Sequence, residues 1–177
     1  NQTIIGAAVP LIARQLGEAW LSDSLSFGAV TIGCARLQTL VHDLADDKYQ
    51  SHLVSDKVQK NCLVVVPDGT QHTLGAIVLA NQMRHSGARV KLALGVSHSA
   101  MSSLALSQYF DAIMISATQS ESLENLHGLV RNARQNDAKS KIFIGGGLVD
   151  HSVDLVARTG TDYVTNDWKE ALTLCNA

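Results

Sequence analysis

The pattern of apolar and polar positions changes character near residue 60. Before it, apolar residues recur at helical spacing in IIGAAVPLIARQLGEAWLSD and again in SFGAVTIGCARLQTLVHDLADD. Pro10 marks the first turn or a kink of the first helix, and Ser26 stands where the second helix needs an N-cap. The second helix is predicted to carry one apolar stripe, formed by Leu37, Leu40, Val41 and Leu44.

A polar stretch, DDKYQSHLVSDKVQKN, follows without sustained periodicity. We interpret it as a linker or a surface excursion between two parts of the chain. The predicted organisation is therefore a small helical bundle over residues 1–58 and an α/β domain over residues 59–177.

From Cys62 onwards, short apolar runs alternate with helix-like segments. The predicted strands are 62–66, 90–94, 112–116, 141–145 and 162–165, and the predicted helices are 74–86, 99–109, 120–134, 149–159 and 168–176. Ser99, Ser120 and Asp167 stand at predicted N-cap positions. Uninterrupted apolar strands separated by helices indicate a parallel sheet covered on both faces. We predict a flavodoxin-like, doubly wound, five-stranded sheet of order 2-1-3-4-5.

Composition narrows the function classes. The 177 residues are 46% hydrophobic and 17% charged with a net charge of −2, which indicates a folded core and argues against a basic nucleic-acid-binding surface. No apolar run reaches the length of a membrane span. Three scattered cysteines match no zinc-site spacing and suggest reduced thiols, and hence a cytoplasmic protein. Because residue 1 is Asn, we expect a piece excised from a longer protein.

Candidate chemistry gathers where three predicted strands end. The turn DGTQHTLG after strand one contains His72 and Gly75, Ser116 ends strand three, and Gly145–Gly147 ends strand four. Ligands of open α/β sheets bind beyond the carboxyl ends of the strands. A neutral imidazole can be an axial ligand of cobalt or iron in a tetrapyrrole, and glycines let a ligand's tail pass close to the backbone.

This combination resembles the cobalamin-binding domain family, whose motifs are Asp-x-His-x-x-Gly, then Ser-x-Leu about forty residues on, then Gly-Gly. The matching stretches are Thr70 to Gly75, Ser116 to Thr118, and Gly146-Gly147. The resemblance implies that His72 displaces the cofactor's benzimidazole from cobalt and that a helical bundle covers the upper face of the corrin, with Trp20 as a lid. The implied cofactor-binding residues are His72, also the metal ligand, with Thr70, Gly75, Ser116, Thr118, Gly145, Gly146, Gly147 and Trp20.

The chain departs from this family at three places. Thr70 replaces the Asp that orients the imidazole through a hydrogen bond. Thr118 replaces Leu, and Val30-Thr31 replaces the Glu-His pair that faces the upper axial position in light-sensing cobalamin regulators. We therefore expect a sensor that is not an enzyme, and we disfavour adenosylcobalamin photochemistry, methyl transfer and mutase chemistry.

A narrower resemblance is carried by LGEAWLSDSLSFGAVTIGCARLQTLV together with QHTLGAIVLANQMRHSGARVKLALG. These stretches are similar to the AerR/PpaA/AppA antirepressors of purple photosynthetic bacteria, in which the module is a sensor containing haem instead of cobalamin or binds cobalamin. The resemblance implies a protein partner, a PpsR/CrtJ-type repressor of photosynthesis genes. The module would change the affinity of this repressor for DNA in response to light, redox state or tetrapyrrole. Cobalamin, haem and an empty pocket all remain open.

Three alternatives accompany this hypothesis. The chain could be the corrinoid-carrying domain of a cobalamin-dependent methyltransferase or mutase, or a protein-interaction module without a ligand. A receiver domain is disfavoured because Ser116 occupies the position of its phosphoacceptor. His98 and His151 are candidate second axial ligands, and the other histidines are expected on surfaces or helix faces.

Overall fold

The computed structural model describes residues 4–49, 60–136, 139–150 and 154–175. Five strands lie within them: β1 Asn61–Pro67, β2 Arg89–Val96, β3 Ala112–Ser116, β4 Lys141–Gly145 and β5 Tyr163–Val164. The helices are α1 Val9–Leu21, α2 Phe27–Tyr49, α3 Leu74–His85, α4 His98–Ser107, α5 Leu123–Asn136, α6 Leu155–Thr159 and α7 Trp168–Leu174. A π-helical turn, Ile4–Ala8, precedes α1, and a 3-10 turn, Gly147–Asp150, follows β4.

The strands form one parallel sheet in the order β2-β1-β3-β4-β5, which confirms the predicted fold and strand order. The chain reverses its direction of progress across the sheet between β1 and β3, and this is the place where a crevice opens in such folds. In the β3–β4 register, Ser116 is paired with Gly145. Two predicted site residues are therefore direct neighbours across the sheet.

Successive side chains of a strand point to opposite faces, and both faces of this sheet are buried. Leu63 and Val65 of β1 pack with α4, α5 and α6, whereas Val64 and Val66 pack with α3 and α7. The apolar runs are thus uninterrupted because each strand has a core on either side.

The two N-terminal helices form a further layer on the outer side of α3. Val9 of α1, Leu37 and Val41 of α2, and Val78 of α3 belong to one buried cluster. Gln82 of α3 also donates a hydrogen bond of 3.4 Å to the carbonyl of Gly6. Since α3 follows directly on the His72 turn, this packing brings α1 and α2 to the same edge of the sheet.

The predicted helix starts are confirmed at three positions. Pro10 lies in the first turn of α1, and Asp167 accepts hydrogen bonds from the amides of Lys169 and Glu170. Ser26 accepts one from the amide of Ala29. Ser99 and Ser120, by contrast, were wrong predictions. The actual caps are Ser97, which accepts from the amide of Ala100, and Ser122, which accepts from the amide of Asn125.

Other boundaries and positions also differ from prediction. Helix α2 continues through Tyr49 into the predicted linker, of which residues 50–59 lie outside the described part. Leu40 is 39% exposed and does not share the buried stripe. The helix predicted over 149–159 is replaced by the 3-10 turn and the short α6, which begins where Asp154 caps the amide of Ala157. Among the described helices, none combines the length and apolarity that crossing a membrane requires.

Candidate functional site

A cleft of about 510 Å³ opens at the carboxyl edge of the sheet, between α3 and α7. Its base is apolar and consists of Met114 of β3, Phe143 of β4 and Ala171 of α7, each of them buried. The ring of Phe143 stacks on that of Tyr163 with centroids 5.2 Å apart. Pro10 and Ala13 of α1 and Cys34 and Gln38 of α2 complete the outer wall.

His72 lies at the mouth of this cleft, in the exposed turn between β1 and α3. Its imidazole makes no hydrogen bond within the part of the chain that the structure describes, so both ring nitrogens are free to bind. The next residue is anchored, since Gln38 of α2 donates a 3.0 Å hydrogen bond to the hydroxyl of Thr73. The helical layer therefore fixes the turn without engaging His72.

Gly75, in the first turn of α3, lines the cleft beside open space. A Cβ built on Gly75 would have no heavy atom within 4 Å, apart from its own helix backbone and chain neighbours. Packing therefore does not require a glycine here, and a Cβ at this position would meet open space in the cleft. This is the behaviour expected where a bound group must pass close to a helix.

Gly145 and Gly146 line the cleft for a different reason. A Cβ on Gly145 would lie 2.8 Å from the carbonyl oxygen of Thr165, and one on Gly146 would lie 2.4 Å from that of Ala117. Gly146 also has a φ of +102°, which L-residues rarely adopt. Close packing against the protein's own backbone thus requires glycine at both positions. This reason adds to the predicted one, which is space for a ligand's tail.

Asn166 is a residue of the cleft that sequence reasoning missed. Its side-chain oxygen accepts a 2.6 Å hydrogen bond from the amide of Gly146, and its side-chain nitrogen donates one of 3.4 Å to the Gly146 carbonyl. This reciprocal pair ties the glycine loop to the turn between β5 and α7, which also contributes Thr165, Asp167 and Trp168 to the wall. The sequence signal that could have indicated Asn166 is its position directly after the predicted strand 162–165, at the carboxyl edge of a parallel sheet.

Four predicted site residues do not line the cleft. The hydroxyl of Thr70 donates to Glu121, that of Thr118 pairs with Ser120, and Gly147 begins the 3-10 turn. Trp20 is 47% exposed at the end of α1, with its ring 6.1 Å from that of Phe27. The structure therefore brings together His72, Gly75, Ser116, Gly145 and Gly146.

Cys34 lies in the outer wall of the cleft, whereas His98, Cys62 and Cys175 do not line it. His98 bonds to Asn125 through Nε2, and His151 lies outside the described residues. Burial raises the pKa of the Cys62 thiol from 9.0 to about 12, with a smaller contribution from Cys175, at the amino edge of the sheet. Among the described residues, no group of three or more His, Cys, Asp or Glu side chains could hold a metal ion.

The sequence over residues 60–173 matches the B12 binding domain family, and this span includes the sheet and nearly the whole cleft wall. The chain belongs to the B12-binding domain family. A relative from Rhodobacter capsulatus, an uncharacterized 20.5 kDa protein in the bchF-crtJ intergenic region, is 36% identical over 164 residues, covering 90% of this chain and 83% of its own length.

Two solved structures share the fold of this B12-binding domain. The monomethylamine corrinoid protein of Methanosarcina barkeri superposes with a TM-score of 0.74 at 13% identity, over 94% of this chain and 78% of that one. A cobalamin-binding protein from Desulfitobacterium hafniense gives 0.55 at 17% identity, over 93% and 76%. The family and these two structures name B12, cobalamin or a corrinoid, and none of the three names haem.

The residues present fit such a group. A single imidazole suffices as a protein ligand when a macrocycle brings the metal's other ligands, and His72 lies at the cleft mouth without a hydrogen bond to any described residue. Behind it, Gly75 leaves open space, Met114 and Phe143 offer an apolar base, and Ser116 adds a hydroxyl at the end of β3. Such a cleft, apolar with a few polar groups, is typical of cofactor sites.

Proposed function

We propose that this domain binds a cobalamin through His72 and uses it as a regulatory sensor and not as a catalyst. The observation that carries the proposal is the convergence of His72, Gly75 and Ser116 on one cleft of a B12-binding fold. Bound cobalamin would supply a cobalt centre that can exchange a ligand. The chain's own role is to present the His72 imidazole and to keep the space beside Gly75 clear.

The N-terminal helices support a covered site. Trp20 follows Ala13 by seven residues on α1, and Phe27 precedes Cys34 by seven on α2, so each aromatic continues the helix face that lines the cleft. Their exposed rings, 6.1 Å apart, form an apolar surface on the continuation of these two helix faces. We propose that this surface packs against the macrocycle.

The ligation is tested by absorbance titration of the apoprotein with hydroxocobalamin and with haemin, side by side. We expect hydroxocobalamin to bind with a spectral change that His72→Ala abolishes. His127→Ala is the matched control, since the His127 ring contacts the carbonyl of Thr159 on the other face of the sheet. A His72→Ala spectrum identical to that of the parent would refute the ligand assignment.

Gly75→Leu separates the two tetrapyrroles. The leucine side chain would start from open space beside α3, because nothing within 4 Å opposes its Cβ, and thermal unfolding of the variant checks that the fold is kept. We expect cobalamin, which has a nucleotide tail, to bind at least about tenfold more weakly, a loss of about 1.4 kcal/mol. Haem has no such tail, so equal binding of haemin by parent and variant is the matching control.

We further propose that the domain acts as an antirepressor on a PpsR/CrtJ-type repressor, from the cytoplasm. The support is the 36% identical relative, whose name places it beside crtJ, together with the resemblance to the AerR/PpaA/AppA group. The test is a gel-shift titration of repressor on operator DNA with the cobalamin-loaded and the cobalamin-free protein, in light and dark. Unchanged repressor affinity in all four conditions would refute the regulatory role.

A corrinoid-carrying domain of a methyltransferase is the second candidate. The superposition on the monomethylamine corrinoid protein favours it, since 94% of this chain is covered at a TM-score of 0.74. Such a domain should accept a methyl group on reduced cobalt when a methyl donor and a partner methyltransferase are supplied. Methyl transfer detected with the parent and absent in His72→Ala would favour this function over sensing.

A further inference from the structure

A chain of hydrogen bonds ends two residues before His72. The hydroxyl of Thr70 donates to Oε2 of Glu121 over 2.7 Å, and Oε1 of the same carboxylate accepts from Nδ2 of Asn125 over 2.7 Å. The Oδ1 atom of Asn125 is in turn 2.8 Å from Nε2 of His98. These hydrogen bonds link the His72 turn to the loop after β3 and to the starts of α5 and α4.

Both carboxylate oxygens of Glu121 are therefore held in place. The His98 ring at the far end of these hydrogen bonds is held by close packing against Gly128, where a Cβ would come within 2.4 Å of the ring. Glu121, Thr70 and Asn125 are each half-buried, so solvent competes only partly for these bonds. A carboxylate fixed in this way is pre-organised to act on whatever the Thr70 hydroxyl contacts.

The Thr70 hydroxyl has spare accepting capacity. Its proton is committed to Glu121, whereas its oxygen can accept a further hydrogen bond. A hydroxyl that donates to a carboxylate becomes a stronger acceptor, since hydrogen bonds in a chain polarise one another. A histidine that ligates a metal through one ring nitrogen generally donates the other N–H to a carboxylate, a carbonyl or water.

We propose that Glu121 acts through Thr70 to orient and polarise the His72 imidazole. The inference rests on the proposed ligation of cobalt by His72. In the loaded protein, the second ring N–H of His72 donates to the Thr70 hydroxyl, whose own proton is held by Glu121. Thr70 and Glu121 are thus positioning residues, and the negative charge that acts on His72 comes from the loop after β3.

Four variants test this relay through the hydroxocobalamin spectrum and dissociation constant. Thr70→Val removes the hydroxyl, and Glu121→Gln keeps an acceptor oxygen but removes the charge; we expect affinity to fall about 10–100-fold in each, with spectra shifted towards that of His72→Ala. Thr70→Ser keeps the hydroxyl and should behave like the parent. Glu124→Gln removes an equal, exposed charge three residues further along the chain, in the first turn of α5, and is the matched control.

A pair of compensating substitutions adds a test whose expected result would not occur if Thr70 and Glu121 only supported the fold. Thr70→Asp places a carboxylate two residues before His72, and combined with Glu121→Gln it avoids two facing negative charges. We expect the double variant to recover at least tenfold of the affinity lost in Glu121→Gln. Thermal unfolding of each variant separates loss of binding from loss of folding.

The outcomes distinguish this inference from the ligation on which it rests. If His72→Ala loses the His-dependent spectrum while Glu121→Gln and Thr70→Val keep parental spectra and affinities, the relay is wrong and His72 ligation stands. If His72→Ala itself keeps the parental spectrum, the ligation is wrong and the relay falls with it. Selective loss in Thr70→Val and Glu121→Gln, with Thr70→Ser and Glu124→Gln unaffected, supports the relay.

Discussion

Gly146 and Gly75 line the same cleft, and we expect substitution to alanine to change the free energy of unfolding differently at the two positions. It should fall at residue 146, and stay unchanged or rise slightly at residue 75. Alanine at residue 146 places a Cβ 2.4 Å from the carbonyl oxygen of Ala117, at a φ of +102°. Backbone strain of this kind costs roughly 1–3 kcal/mol. Forcing apart two close-packed segments adds about 1–3 kcal/mol.

We therefore expect Gly146→Ala to lower the free energy of unfolding by about 2–6 kcal/mol, a large part of the roughly 5–15 kcal/mol typical of native proteins. At about 2–4 °C per kcal/mol for a chain of this size, the melting temperature should fall by on the order of 10 °C. The substitution also moves the amide that Asn166 holds, so the cleft wall should loosen before the rest of the domain unfolds.

The assay is urea unfolding followed by circular dichroism, with Gly75→Ala as the matched control. At Gly75 the Cβ meets open space inside a helix, so alanine should leave stability unchanged or raise it by up to about 1 kcal/mol. A Gly146→Ala variant within about 0.5 kcal/mol of the parent, the usual range of a neutral surface substitution, would refute the close approach to Ala117.

Three further predictions concern stability. Ser122→Ala should cost about 1 kcal/mol because Ser122 caps α5, whereas Ser99→Ala should cost less, and chemical unfolding of both variants checks this difference. Asp162→Asn should cost about 1–3 kcal/mol, since the Asp162 carboxylate bonds both Arg134 and the amide of Ile142; a melting temperature equal to that of the parent would count against it. The raised pKa of Cys62 means that the folded form keeps a proton that the unfolded form loses, so stability should decline from pH 9.0 towards 12. The free energy of unfolding should fall by up to about 1.4 kcal/mol per pH unit between these values. In urea titrations across this pH range, Cys62→Ala should make the fall shallower.

Helix starts show where local sequence stops being decisive. Serines stand in pairs at the start of α4, at 97 and 99, and at the start of α5, at 120 and 122, and either member of each pair has the chemistry of a cap. The cap is the residue whose backbone is still extended, as it is at Ser97. That choice depends on how the chain leaves the sheet and turns back over it, so the wrong serine was predicted both times: Ser99 lies within α4, and Ser120 lies three residues before α5.

The site was predicted in part, for a topological reason. Parallel strands place all their carboxyl ends on one edge, so residues that end β1, β3 and β4 meet whatever their separation in sequence. This brings His72, Ser116 and Gly145 to one cleft. Thr70 and Thr118 lie next to the same strand ends, but their side chains are turned to other partners, and the sequence does not encode that rotation locally.

Alternating apolar runs and helices determined the fold, the strand order and the edge at which chemistry could gather, because burial on both faces leaves few arrangements for five short strands. Only the tertiary structure decided that Gly146 is required by Ala117 while Gly75 is not, and that the carboxylate of Glu121 reaches Thr70 across 51 positions of sequence. The physical reason is range: hydrophobic patterning acts over a few residues, whereas a close contact or a hydrogen bond between loops exists only after the sheet has brought them together.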